Sequence, residues 1–378
     1  MPFRDLICGV AFLGFVMATP PAAAEALAEP AADPVVEAAE FAGEVLFMES
    51  GAPGMVMVVV HNGNAKVFGF GETAKGNGRQ PDGQSMFRLN SISKVFVGEV
   101  TASLAADGKL QLTDPLQRYA GSTKVPALGE RQITLLDLAT HSAAMPREMP
   151  GAPEGVNPRA WPTRADRWKW LPAQKLPWAP GSVASYSNVG FDFLADAAET
   201  AGGMPYSELL KARITQPLGM PDTGLTPSPA QCARFMEGSG LGGTFPCGDT
   251  RATGGSGGLY STGNDMARWM IHSLADPDGK LGLSHAVYRP RQGLKAAIGF
   301  DEGASMSGLG MGWVSVAADG IKPMLLTKSG AGLGFMSYVA MAPGRDVAVF
   351  VVVNRADFAM FGDITKTVNG LIASLATR

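Results

Sequence analysis

The feature that most constrains this chain is the placement of its β-type segments at its two ends. Residues 55–60 and 347–354 are dense runs of valine and other apolar residues, a composition that suits strands. Residues 65–70 follow the first run after Asn62-Gly63-Asn64, a hairpin signal. Residues 312–317, 324–328 and 334–341 also read with a period of two, and Pro343-Gly344-Arg345-Asp346 makes a tight turn before the last run. Helical spacing fills the middle. It covers residues 191–201 and 206–216, the latter with Pro205 suited to its first turn. Thr262 with Asp265 three later resembles a capping box and opens a helix through Arg268, Trp269 and His272. Helices are also expected over 34–48 and 361–376, the second with an apolar stripe of Ile364, Val368, Leu371, Ile372 and Leu375. This distribution predicts an α+β fold: one antiparallel sheet built from both termini and flanked by helices, with a mainly helical region inserted. The α/β part should span about 34–88 and 290–378, and the helical part about 89–289. A cleft is favoured where the two parts meet.

At 378 residues, 46% hydrophobic and 17% charged, the chain has ample material for a core. Its net charge of -3 argues against a nucleic-acid surface. Arg4, the apolar stretch 6–18 and Ala22-Ala23-Ala24 have the order of a secretory signal peptide over residues 1–24, cut before Glu25. A retained N-terminal anchor is the alternative. The Ala/Pro-rich residues 25–33 read as a flexible lead to a single domain over 34–378. An exported, periplasmic protein is the expectation. The C-terminal stripe is expected to cover the sheet, and peripheral membrane association and oligomeric state stay open. Cys8 should leave with the signal. In an oxidising compartment Cys232 and Cys247, a short loop apart, are expected to be bridged, the alternative being two free thiols.

Chemistry first shows at Asn90-Ser91-Ile92-Ser93-Lys94, read as a helix start. Residues three apart share a helix face, so Ser91 and Lys94 point the same way, with Ser91 near the positive end of the helix dipole. A serine hydroxyl attacks poorly unless a base takes its proton, and a lysine can be that base when burial or a nearby cation lowers its pKa. Ser-x-x-Lys occurs once in the chain; alone it also fits a polar helix start with an extended surface lysine. Two further triplets bear on it. In Tyr186-Ser187-Asn188 a tyrosine can relay a proton and an asparagine amide can hold a carbonyl. In Lys328-Ser329-Gly330, expected at a strand end before a glycine-rich bend, the lysine supplies positive charge and the glycine allows a substrate backbone to lie close.

Other patterns are weaker. Gly254-Gly255-Ser256-Gly257-Gly258 has the letters of a nucleophile elbow, but polar Asp249-Thr250-Arg251 stands where a strand is needed, and the helix waits until Thr262. Gly238-x-Gly240-x-x-Gly243 follows a helical stretch instead of a strand, unlike a dinucleotide site. His61, His141, His272 and His285 show no paired metal spacing, and His141 reads as a hydrogen-bonding residue behind the site. The proline-rich stretch 144–183 holds Trp161, Trp168, Trp170 and Trp178 and is expected to be ordered but irregular, either packing or lining a cleft.

Taken in order, the three triplets resemble the signature set of the serine penicillin-recognising enzymes, and Tyr-x-Asn in the middle looks like the class C branch. Leu138-Ala139-Thr140-His141-Ser142, Pro180-Gly181 and Gly257-Gly258-Leu259-Tyr260-Ser261-Thr262 are similar to that family too. Pro146-Arg147-Glu148, Trp161-Pro162-Thr163-Arg164, Arg167-Trp168-Lys169 and the segment Thr226 to Cys232 resemble the AmpH-type D-alanyl-D-alanine carboxypeptidases and endopeptidases within it. Two departures are Ser329, where the family usually has threonine, and Ala331 with Leu333 in a bend usually richer in glycine. The resemblance implies a β-lactamase/transpeptidase-like fold and no cofactor or metal. It implies peptidoglycan peptides and β-lactams as substrates. Ser91, Lys94, Tyr186 and Lys328 would be catalytic. Asn188, Ser329, Gly330 and Ala331 would hold substrate, with an oxyanion between the backbone N–H groups of Ser91 and Ala331. A class C-like β-lactamase or small-ester hydrolase, and a non-catalytic penicillin-binding sensor, are the alternatives.

Overall fold

The structure is a computed structural model that describes residues 1–2, 33–154, 160–241, 245–276, 278–300 and 305–377. The expected signal peptide and most of the lead therefore lie outside the described residues. Residues 34–378 form one compact unit.

The chain opens with helix α1 (Pro34–Ser50), the hairpin β1 (Gly54–His61) and β2 (Asn64–Gly71), and the short strand β3 (Met86–Arg88). Helix α2 (Ser93–Ala106) follows, then α3 (Leu135–Ala139), α4 (Arg164–Trp170) and α5 (Asn188–Gly202). Strand β4 (Tyr260–Thr262) pairs with β3 and leads into α6 (Gly263–Ala275). The sheet is completed by β5 (Arg289–Pro290), β6 (Gly308–Leu309), β7 (Val314–Val316), β8 (Leu325–Gly332), β9 (Phe335–Ala342) and β10 (Val347–Val353), and α7 (Phe361–Leu375) closes the chain. The eight strands run in the order β2-β1-β10-β9-β8-β7-β6-β5 and are antiparallel throughout. The N-terminal hairpin thus pairs directly with the last strand, Met55 opposite Val353 and His61 opposite Val347, so the two termini do share one sheet.

Both faces of that sheet are covered, which is why β1 reads as a continuous apolar run. Met55, Met57 and Val59 pack with Ala39 and Leu46 of α1 and with Ile364, Val368 and Ile372 of α7. The stripe of α7 lies on the sheet, as expected. Val56, Val58 and Val60 face the other way, into a core shared with α2, α5 and α6. Fully burying each such side chain contributes roughly 1.5–3 kcal/mol.

Four local expectations change. Ser91 lies in a 3-10 turn, Asn90–Ile92, and the α-helix begins only at Ser93. Strand β8 runs on to Gly332, so Lys328-Ser329-Gly330 sits inside a strand. Pairing with β9 from Leu326 to Gly332 overrides the glycine signal. Thr262 caps α6 by accepting from Asp265 N–H, but the Asp265 carboxylate turns to Asp222 N–H and Thr223, leaving the capping box half made. The stretch 144–183 contains α4, opened by a complete capping box between Thr163 and Asp166.

Candidate active site

Everything around Ser91 holds its turn in place. Asn90 has φ +50, a conformation costing a non-glycine residue about 1 kcal/mol or more. Its side-chain amide donates to Gly332 O (2.9 Å) and Phe335 O (3.2 Å), tying the turn to the β8–β9 hairpin. Ser93 Oγ donates to Asn90 O at 2.6 Å and accepts from Leu259 N at 3.0 Å. Ser337 Oγ donates to Leu89 O at 3.0 Å. Strand β8 passes so close that a Cβ on Gly330 would collide with Leu89 O and Ser337 Oγ and stand 3.2 Å from Ser91 N. Glycine is needed there because the strand meets the Ser91 turn.

Lys94, one residue into α2, is fully buried. Its Nζ lies 3.1 Å from Ser91 Oγ and 2.6 Å from Asn188 Oδ1, and it also donates to Ser256 O. Burial lowers its pKa, the Lys328 charge lowers it further, and Tyr186 and Asp192 oppose this. The partners constrain the proton arrangement. Asn188 Oδ1 and the Ser256 carbonyl can only accept, so they take two N–H bonds. A neutral amine then keeps one lone pair, and Ser91 Oγ–H is the neighbour among these three able to donate into it.

Tyr186 stands among three basic side chains: Lys94 Nζ lies 5.0 Å, Lys328 Nζ 4.8 Å and Arg147 Cζ 4.7 Å from its centroid. Burial alone would raise the phenol. The charges of Lys328 and Lys94, with hydrogen bonds to Ser91 and Lys94, outweigh it and bring the phenol down to about 8. Lys328 Nζ is buried and has no hydrogen-bond partner within the described residues. His141 stacks on Tyr186 at 4.2 Å and its Nδ1 accepts Ser187 N–H at 3.0 Å. It sits behind the tyrosine in the supporting place expected of it.

The structure therefore gathers Ser91, Lys94, Tyr186, Lys328 and Asn188 in one place. Asn188 opens α5, and its Nδ2 donates to Glu148, which fixes the amide with Oδ1 toward Lys94. The other amide N–H has no acceptor among the described residues. Ser329 is in register with Tyr338, whose side chain belongs to the layer under α7. Strand alternation thus sends Ser329 to the opposite side from Lys328. Ala331 also contributes its side chain to that layer. Strand β7 pairs with β8 only up to Thr327, so beyond it β8 has no β7 partner on that side.

Three contributors escaped the sequence reading of the site. Glu148 was visible only as a letter of a subfamily pattern. Ser256 belongs to the glycine-rich segment that mimics a nucleophile elbow, yet it gives the site its carbonyl, while its hydroxyl donates to Asp192 at 3.1 Å. Asp192, which with Asp196 is one of two buried carboxylates in a largely apolar stretch of helix, was the local signal available. Cys232 and Cys247 are disulfide-bonded with Cα atoms 5.6 Å apart. Gly243 of the dinucleotide-like pattern lies outside the described residues. Among the described residues no group of His, Cys, Asp and Glu is arranged to hold a metal.

A large antiparallel sheet with helices on both faces, and a helical region set over a Ser-x-x-Lys turn, is the architecture of the serine β-lactamase/transpeptidase class of hydrolases. The chain belongs to the beta-lactamase family, whose description, Beta-lactamase, matches residues 27–373. It is similar to the D-alanyl-D-alanine-carboxypeptidase/endopeptidase AmpH of Escherichia coli K12, 41% identical over 360 residues, 92% of each chain. A Beta-lactamase of the same organism is 27% identical over 337 residues, covering 80% of this chain and 84% of that one. The crystal structure of a Beta-lactamase/D-alanine Carboxypeptidase from Yersinia pestis complexed with citrate superposes with a TM-score of 0.85 at 40% identity, over 91% of this chain and 99% of that one.

Proposed function

We propose that the protein is a penicillin-binding serine DD-carboxypeptidase and DD-endopeptidase that cleaves D-alanine-containing peptidoglycan peptides in the periplasm. The observation that carries this is the bonding of Lys94: its buried Nζ is held by two acceptors, Asn188 Oδ1 and Ser256 O, and lies 3.1 Å from Ser91 Oγ, where a neutral amine can take the serine proton. Ser91 Oγ attacks the carbonyl between two D-alanines, and its proton passes to Lys94 Nζ. Tyr186, with its phenol near 8, gives its proton to the departing amine as the C–N bond breaks. The buried Lys328 side chain, whose Nζ has no hydrogen-bond partner among the described residues, suits the terminal carboxylate that a carboxypeptidase must recognise. The remaining N–H of Asn188 suits a substrate carbonyl. The edge of β8 past Thr327 suits an extended peptide, with Ser329 and Gly330 along it and the N–H groups of Ser91 and Ala331 as oxyanion donors. Water then attacks the acyl-serine with Tyr186 as its base, and Lys94 returns its proton to Ser91 Oγ as the ester bond breaks. The relatives support this reading through their own names: one is called a carboxypeptidase/endopeptidase at 41% identity. The Cys232–Cys247 disulfide is consistent with an exported chain.

A class C-like β-lactamase is the second reading, favoured by the Yersinia pestis neighbour, which is called both a beta-lactamase and a D-alanine carboxypeptidase. Fold alone does not separate the two. Labelling with fluorescent penicillin tests the nucleophile: the wild type should become covalently labelled and Ser91→Ala should not. Release of D-alanine from purified muropeptides, compared with turnover of a cephalosporin, tests the substrate. Fast cephalosporin hydrolysis with no D-alanine release would replace the first reading by the second.

A further inference from the structure

The glycine-rich segment that looks like a nucleophile elbow has a different use. Its Ser256 is gripped by one carboxylate. Asp192 Oδ1 accepts Ser256 N–H at 2.9 Å, an N–H shared with Thr253 O at 3.2 Å, and Asp192 Oδ2 accepts Ser256 Oγ–H at 3.1 Å. The next link is the Ser256 carbonyl, which takes an N–H of Lys94. Neighbouring glycines let this bend lie against α5: a Cβ on Gly255 would collide with Phe191 O. We propose that Asp192 is a positioning residue for acyl transfer: by holding Ser256 it fixes the carbonyl that orients Lys94, and so aims the amine's lone pair at Ser91 Oγ.

The inference rests on the proposed roles of Ser91 and Lys94. An amine with two N–H bonds fixed has its lone-pair direction fixed. Asn188 Oδ1 supplies one anchor, itself tied to Glu148, and Ser256 O supplies the other. Loss of either frees the amine to rotate, and a small misplacement of a catalytic group can cost about 10²-fold in rate. Asp192 is itself surrounded. Arg167 of α4 faces it, Asp196 lies one turn along α5, Lys94 approaches from α2, and it acts on Tyr206 beyond α5. Arg167 bonds Asp196 at 2.8 Å, Pro162 O at 2.8 Å and Ala252 O at 2.7 Å, which joins α4, α5 and the approach to the Ser256 bend. The Asp192 carboxylate also favours the charged form of Lys94.

The test is the second-order rate of acylation by fluorescent penicillin, measured across pH 5–10 for wild type, Asp192→Asn and Asp192→Ala, with thermal unfolding of each. Asp192→Ala loses both bonds to Ser256, and its rate is expected to fall on the order of tenfold to a hundredfold. Asp192→Asn keeps an acceptor for Ser256 N–H and should lose less. In both, the acid limb of the profile should move to lower pH, because an anion that favours protonated Lys94 is gone. Should Asp192→Ala not fold, the acid limb of Asp192→Asn decides. An unmoved acid limb in Asp192→Asn, or rates that fall only with the folded fraction, overturns the proposal. Labelling of Ser91→Ala in the same assay would instead overturn the nucleophile assignment, and leaves a different mark from either Asp192 result.

Discussion

The ring of His141 lies against the ring of Tyr186 with centroids 4.2 Å apart and planes 23° from parallel. Burial, then the charges of Lys328, Lys94 and Arg147, hold the histidine well below its usual pKa, so it is neutral at physiological pH. A neutral ring can stack behind the phenol without adding a charge to it. The phenol can then respond to Lys328 and Lys94, which bring it to about 8.

That value sets the first prediction. If Tyr186 gives a proton to the leaving amine, the protonated phenol is the active form, and peptide cleavage should decline as pH rises through about 8. Tyr186→Phe keeps the stack and removes the hydroxyl. Its D-alanine release should fall by roughly 10²–10⁴, the usual contribution of a positioned acid or base. Its melting temperature should stay close to wild type. The decline above pH 8 should vanish from what activity remains. A Tyr186→Phe profile with the same alkaline limb as wild type would assign that limb to another group.

Gly330 gives the second. A Cβ there would strike Leu89 O and Ser337 Oγ and crowd Ser91 N at 3.2 Å. Its backbone needs no unusual φ, so the demand is purely for space. Gly330→Ala should therefore push β8 and the Ser91 turn apart. Penicillin labelling should slow by about 10²-fold or more. The protein should stay folded, since the sheet pairing of β8 with β9 runs over seven residue pairs from Leu326 to Gly332. Labelling at the wild-type rate would show that the turn can yield without moving its serine.

These cases show what could be read from the letters. Ser91 and Lys94 were legible because a three-residue spacing fixes two side chains on one face, and that holds through a 3-10 turn as it does in an α-helix. Tyr186 and Lys328 were legible as members of the family's ordered set of motifs, not from local chemistry. The sheet was legible because period-two runs stand at both ends of the chain. The extension of β8 past Lys328 was not, because Gly330 and Gly332 look like the end of a strand until the close approach of the Ser91 turn gives one of them a reason. Ser256 was misleading for a deeper cause. Its contribution is a main-chain carbonyl, and a backbone atom leaves no trace in residue identity.

Glu99 provides the last prediction. It lies on α2, away from the chemistry, 6% exposed, and accepts Trp269 Nε1–H at 3.1 and 3.2 Å. Burial pushes its carboxyl up to about 8, although the tryptophan bond pulls the other way. Below the ordinary value of 4.5 the folded and unfolded chains both carry the proton. As pH rises, the unfolded chain releases it first, while the folded chain holds it until about 8. The stability associated with this group is thus fully present below 4.5 and is lost progressively up to about 8, at up to about 1.4 kcal/mol per pH unit. Glu99→Gln keeps the shape and an oxygen for Trp269, and has no proton to hold. The variant should match the wild type near pH 5 and unfold at a higher temperature near pH 8, with the gap widening between. Thermal unfolding of both proteins at pH 5, 6.5 and 8 reads this directly. A gap that stays constant with pH would mean that Glu99 is already ionised in the folded protein, with its charge stabilised by more than one indole N–H.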